Sequence, residues 1–317
     1  MKEEDKKIYM ASIKSLDTEE TIDMWFYRPL GFRCALFFRN RGVHPNVITI
    51  ISIFLGIAAG ICFMQTSLAW NMTGILLLMW ANLYDSTDGQ LARITGQKTR
   101  WGRILDGFAG DCWFFCIYFA ICVRETFQPI PFAPEYDWGV IIWIMSSFSG
   151  FWVHGSQCQL ADYYRNIHLY FINEKNGHEF HNSTAVRKEY KETTWRGNFF
   201  WKIFLNAYIA YVDNQERMTP KFQKFIKVVN EKYGTAIPDS LRSEFRRGSL
   251  PLMKYTNILT FNTRAITLFI LVLIGQLWFY LVFELVILMA LFICMRYKHE
   301  RLCSILTQKI ESGYEYN

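Results

Sequence analysis

Six apolar stretches, each near the length of a membrane-crossing helix, set the frame into which the rest of this chain must fit. About 20 apolar residues in a helix cross the hydrocarbon of a bilayer. There every backbone N–H and C=O has to be satisfied within the protein. Residues 47–63, VITIISIFLGIAAGICF, carry no charge. The other runs are 68–84, 107–123, 138–153, 265–281 and 282–295, the last two parted by a tight turn around 278–283. The expected fold is all-α and integral to the membrane: a six-transmembrane-helix bundle.

Charge distribution gives that bundle an orientation. Residues 24–46 carry Arg28, Arg33, Arg39 and Arg41 and no acid, and the loop after the second run holds Arg93, Lys98, Arg100 and Arg103. Residues 155–255 hold 16 Lys and Arg against 10 Asp and Glu, whereas 124–137 hold one Arg against three acids. With six spans every basic loop falls on one face, which should be cytoplasmic together with both termini. The net charge of +6 then reads as orientation and contact with anionic headgroups, not as nucleic-acid binding. The charged N-terminus has no apolar core ahead of a small-residue cleavage site, so the first span is expected to act as its own insertion signal. Eight isolated cysteines without a CxxC pair indicate neither a zinc site nor a disulfide framework.

The organisation follows. Residues 1–46 form a cytoplasmic N-terminal segment whose stretch 21–41 mixes aromatics with arginines, as an interfacial amphipathic helix does. Pro45 marks the turn into the first span, with Asn46 or Thr49 available as its cap. Residues 47–154 make a catalytic half of four spans, 155–255 a long helical cytoplasmic or interfacial insertion, 256–297 the last two spans and 298–317 a tail. In the insertion, 198–212 is too short and too interrupted by Lys202 and Asn206 to span, and reads as interfacial or packed on the bundle. Thr219 and Pro220 open a helix, and another follows Pro238 and ends at Gly248. GHEFH, His178 to His181, lacks metal-ligand spacing.

Between the second and third runs lies YDSTDGQLARITGQKTRWGRILDGFAGD. Asp85 and Asp88 share a helix face at the end of the second span. Gly89 lets a backbone or flat ligand approach, and Arg93 lies on much the same side. Asp106 opens the third span and can face the first pair. Three converging carboxylates repel unless a cation joins them, and oxygen-only ligands select a hard ion, Mg²⁺ or Mn²⁺. An arginine beside them suits a diphosphate. Two readings stay open at this level: metal-assisted chemistry on a phosphorylated substrate, and an ion-coupled transporter with an acidic ion site.

The spacing D-x2-D-G-x2-A-R-x8-G-x3-D, met by Asp85, Asp88, Gly89, Ala92, Arg93, Gly102 and Asp106, resembles the signature of the CDP-alcohol phosphotransferase (CDP-alcohol phosphatidyltransferase) family. HPNVIT at the first span is similar to that family's Pro-Asn-x-x-Thr. The resemblance is close over residues 41–123. It implies six transmembrane helices, cleavage of a CDP-linked diphosphate and transfer of the distal phosphoryl unit to an acceptor hydroxyl with release of CMP. It further implies two divalent metals on Asp85, Asp88, Asp106 and a fourth aspartate that is also the base. Gly89, Ala92, Arg93 and Gly102 would form the CDP-moiety region. A homodimer is common in the family.

One position departs. The pattern puts the fourth aspartate at residue 110, where this chain has Gly110 and then Asp111. A step of five turns Asp111 about 140° from Asp106, so a π-bulge near 107–110 is expected to restore its facing. Six spans favour CDP-diacylglycerol with a polar acceptor such as inositol or inositol phosphate. The reverse arrangement, a CDP-linked head group passed to diacylglycerol or ceramide, stays open. Arg264, at the start of the fifth span, is the candidate for an acceptor phosphate.

Overall fold

The computed structural model describes residues 3–172, 183–234 and 236–316; GHEFH lies outside them. Among the described residues the chain is helical apart from connecting turns and a small antiparallel hairpin, β1 (Pro129–Ile130) with β2 (Ala133–Asp137), inside the loop 124–137. Among the described residues four helices are long and apolar enough to cross a membrane: Pro45–Phe63, Trp101–Glu125, Asp239–Leu273 and Phe279–Glu311. The protein is an integral membrane protein. It divides into two compact units, residues 1–155 with 261–287, and residues 156–260 with 288–317.

The first unit begins with α1 (Glu3–Ser12) and a π-helical turn, Asp23–Tyr27, that runs into α2 (Arg28–Asn40) with Pro29 in its first turn. Three long helices follow: α3 (Pro45–Phe63), α4 (Leu68–Thr95) and α5 (Arg100–Glu125). Small residues let them approach, as helices in a bilayer require. A Cβ on Gly56 of α3 would lie 1.9 Å from the Trp113 ring of α5. The indole settles in that notch and donates its Nε1–H to the Ser52 carbonyl at 3.0 Å. Below it Ala59, Phe63, Leu78 and Ile117 close the core.

α3 is capped by His44, whose ring Nδ1 accepts the Asn46 N–H at 3.2 Å, not by Asn46 or Thr49. α4 ends at Gly96, whose φ of 70° needs the freedom that glycine has. α6 (Gly139–Phe148) passes through a π-helical segment, Ser149–His154, into α7 (Gly155–Ile172). The turn between the last two apolar runs comes earlier than its expected place at 278–283. α13 (Phe261–Leu273) stops before Gly275, at φ 70°, and a new helix starts at Phe279. Gly275 and Gln276 return their N–H groups to Val272 and Leu271, and that closes the helix.

The second unit packs α7 with α8 (Ser183–Glu192), α9 (Phe199–Met218), α10 (Pro220–Tyr233), α11 (Asp239–Ser249), α12 (Met253–Ile258) and, after the short α14 (Phe279–Val282) of the first unit, α15 (Met289–Glu311). Phe171 stacks on Phe245 at 4.0 Å between ring centres, and Tyr164 on His299 at 3.7 Å. Thr219 stands at the start of α10 as expected, yet its hydroxyl turns back to the Gln215 carbonyl. The open N–H groups of Lys221 and Phe222 are taken instead by the Glu300 carboxylate, at 2.7 and 3.3 Å. α11 runs one residue past the expected stop at Gly248.

Candidate active site

α4 and α5 bring three aspartates to one place. Asp85, Asp88 and Asp106 each present an oxygen within 4.8 Å of the others. Asp88 is buried, Asp85 half-buried and Asp106 exposed. At that spacing two carboxylates repel by about 3–4 kcal/mol at an effective dielectric of about 20, and three such pairs make the set unfavourable without a cation. Burial, followed by the charges of Asp106 and Asp88, pushes the Asp85 carboxyl well above its ordinary range. Burial and Asp106 do the same to Asp88. An all-oxygen anionic donor set of this kind fits a hard divalent cation.

α3 supports the set from the side. The Thr49 hydroxyl donates to Asp88 Oδ2 at 2.5 Å and so fixes one carboxylate oxygen. Gly102, in the first turn of α5, has its N–H taken by Thr99 Oγ1 at 2.9 Å. A Cβ there would stand 3.0 Å from Asn46 Oδ1, so the start of α5 lies tight against the start of α3.

Gly89 and Ala92, both half-buried, extend the Asp85 face of α4. A Cβ on Gly89 would meet the Arg93 guanidinium at 3.3 Å. Arg93 donates through Nε to the backbone carbonyl of Ser12, while its Nη2 is buried with no hydrogen-bond partner. Burial, then the neighbouring charge of Arg28, lowers the Arg93 pKa to about 10. A buried donor without a partner costs about 1–3 kcal/mol, a cost that a phosphate oxygen would relieve. Gln90 also reaches the N-terminal segment, donating to Ser12 Oγ at 3.2 Å. Arg28 binds Glu19 at 2.8 Å and Ser86 at 3.3 Å, with Asp85 in electrostatic range.

Asp111 is not brought into this set. α5 is a regular α-helix from Arg100 to Glu125, so the bulge expected at 107–110 is absent. Neither glycine there is forced out of the ladder, and the helical hydrogen bonds close normally. Asp111 is exposed and faces the charge of His154 instead.

The π-helical geometry lies elsewhere: besides Asp23–Tyr27, it occurs in Ser149–His154 and Phe283–Leu288. Ser149 and His154 are also five apart, and the wider turn carries both to Glu284, which is fully buried in the second segment. Glu284 Oε2 accepts from Ser149 at 2.6 Å and Tyr118 at 2.5 Å. Its Oε1 pairs with Arg264 and lies 3.5 Å from His154 Nδ1. Arg264, fully buried, therefore has its charge matched inside the bundle and does not stand open to an acceptor phosphate.

Sequence reasoning missed Thr49 as a support of Asp88, although its motif was visible. It also missed Arg28 beside Asp85, the Ser12 carbonyl and the Glu284 cluster. For Ser12, 81 residues from Arg93, no local signal exists.

Three carboxylates converging beside a buried, half-satisfied arginine form a donor set that suits a divalent cation and a phosphate. Residues 42–161 match the model of the CDP-alcohol phosphatidyltransferase family. Its members are transferases for substituted phosphate groups that use divalent metals. A search of curated proteins finds no match to the chain.

Proposed function

We propose that this protein transfers a phosphatidyl group from CDP-diacylglycerol to the hydroxyl of a polar acceptor such as inositol and releases CMP, with the reaction at the cytoplasmic face of a six-span bundle. The observation that carries the reading is the convergence of Asp85, Asp88 and Asp106 within 4.8 Å inside the matched domain. These three residues would hold Mg²⁺ or Mn²⁺, which when bound would offset charge on the diphosphate and on the leaving CMP.

The chain's own residues do the rest. Thr49 keeps Asp88 turned toward its partners. Gly89 and Ala92 leave the α4 face low enough for the nucleotide, with Gly102 close by on α5, and Arg93 offers its buried Nη2 to a phosphate oxygen. The acceptor oxygen bonds to the distal phosphorus as the bond to CMP breaks, and its proton passes to a carboxylate of the converged set, Asp106 being the exposed member. Because Arg264 is matched by Glu284, an uncharged acceptor such as inositol is favoured over inositol phosphate.

The test is CMP release by purified full-length protein with CDP-diacylglycerol and a panel of polyols, polyol phosphates and amino alcohols. Release should require Mg²⁺ or Mn²⁺, need a neutral polyol, and fall sharply in Asp106→Asn. Absence of CMP release across the panel, together with solute flux in liposomes, would overturn it in favour of a transporter. Release with a CDP-linked head group and diacylglycerol or ceramide would reverse donor and acceptor.

A further inference from the structure

α9 presents an apolar stripe to its surroundings. Phe199, Ile203, Asn206, Ala207 and Ala210 recur at helical spacing on one exposed face, with Phe200 at its edge, and no charged residue interrupts them. Phe200 is 75% exposed, Phe199 56%, Ile203 47%, and Trp195 in the preceding turn 51%. The opposite face is conventional core: Leu205, Ile209 and Val212 pack with Val186 of α8. Lys202, the charge within this apolar segment, points to that inner side. Its Nζ donates to the Thr193 carbonyl at 2.7 Å and lies over the Tyr190 and Trp195 rings, at 4.6 and 5.2 Å.

The root of α9 is held at two points. Gln159, a few residues beyond the fourth apolar run, donates to the Tyr211 carbonyl at 2.9 Å and accepts from Asn214, while its own carbonyl accepts from Gln215. Arg296, just beyond the sixth run, donates to the Met218 carbonyl at 2.7 Å. Both anchors sit where an apolar run gives way to polar sequence. α9, about 30 Å long, is thus rooted at residues next to the ends of two apolar runs of the sequence.

Charge points to a lipid surface. Residues 183–203 carry five Lys and Arg against two acids; with Lys202 turned inward and Arg187 paired with Asp213, Lys188, Lys191 and Arg196 remain at the exposed surface. Aromatic and aliphatic residues on one helix side with basic residues around them are what an in-plane helix uses to enter the headgroup region.

We infer that the α8–α9 hairpin is a membrane-docking foot, with the Phe199–Phe200–Ile203 stripe lying in the headgroup region of an anionic leaflet. This is independent of the proposed reaction, because none of these residues belongs to the aspartate site.

The experiment places p-benzoylphenylalanine at Phe200 in the full-length chain, reconstituted in nanodiscs of phosphatidylcholine and phosphatidylglycerol, with a control at Lys188. After irradiation, intact mass should show the shift of one added phospholipid at position 200 and none at 188. A cross-linked dimer at 200 would overturn the inference in favour of a second copy of the chain, and no adduct would overturn it outright. Phe200→Ser with Ile203→Ser, both exposed and so compatible with folding, supplies a second reading. Liposomes should protect the tryptic site at Arg196 in the unaltered chain and lose that protection in the variant. Equal protection in both would also overturn it.

Discussion

Replacing Glu284 by Gln tests whether the buried cluster is structural. The substitution keeps the shape and hydrogen-bonding reach of the side chain and removes one charge. Arg264, fully buried, would then hold an uncompensated guanidinium. Breaking a buried pair in this way costs about 3–5 kcal/mol. The neutral hydrogen bonds from Ser149 and Tyr118, at roughly 0.6–1.7 kcal/mol each in a membrane protein, are too small to hide that loss. At roughly 2–4 °C per kcal/mol the thermal midpoint should fall by about 10 °C. Tyr118→Phe and Ser149→Ala should each lose only a few degrees. The decisive arm is the double variant Arg264→Met with Glu284→Leu, which removes both charges and should recover most of the midpoint. CMP release should recover with it. The assays are a thermal melt of the purified protein in detergent and CMP release at several acceptor concentrations. A midpoint for Glu284→Gln within about 2 °C of the parent would refute the ion-pair argument. A stable double variant with a greatly raised KM for a phosphorylated acceptor would return Arg264 to the role that its position in the sequence first suggested.

Other outcomes follow from the aspartate set. Thr49→Val removes the donor on Asp88 and should weaken divalent-metal affinity roughly 10- to 100-fold, read by titrating Mg²⁺ against CMP release. Gly89→Ala sets a Cβ 3.3 Å from the Arg93 guanidinium and should raise the KM for the CDP-linked donor about fivefold, on the order of one charge-assisted hydrogen bond lost in part. An unchanged KM would detach Arg93 from the donor. Asp85 and Asp88 have carboxyls raised well above 3.8, so the metal-free fold holds protons that the unfolded chain releases. Their contribution is present at low pH and is lost as pH climbs from the unfolded value through the raised ones. Added Mg²⁺ should therefore lift the melting midpoint more near about pH 8 than near about pH 5, and equal lifts would contradict the assignment.

The parts legible in sequence were those written in periodic or fixed-interval patterns. The uncharged run beginning at Val47 read as a membrane-crossing helix, and α3 has the length and composition of one. The interval from Asp85 to Asp106 brought three carboxylates together because α4 and α5 are both regular. Asp111 went the other way for the same reason: the helix did not bend its register to suit an expectation built on five steps. Two of the register shifts that do occur, at Ser149–His154 and Phe283–Leu288, fall where a buried glutamate gathers donors from several helices. No residue type announces such a shift, since its cause is a partner far along the chain. Arg264 was misjudged on the same account: its position was readable, but the carboxylate opposite it was not. The turn at Gly275 was readable from the glycine itself and was placed late because the apolar run continued past it.

Arg93 is held by a carbonyl of the main chain at Ser12. Every residue that could replace Ser12 carries the same oxygen, so an alanine scan of the N-terminus would pass over this contact without registering it. Only shortening the segment, or breaking the path that leads the backbone there, would set the guanidinium loose. The strap itself is therefore invisible to point substitution, even though the Ser12 side chain is buried and bonded to Gln90. Its importance would come to light only in deletions.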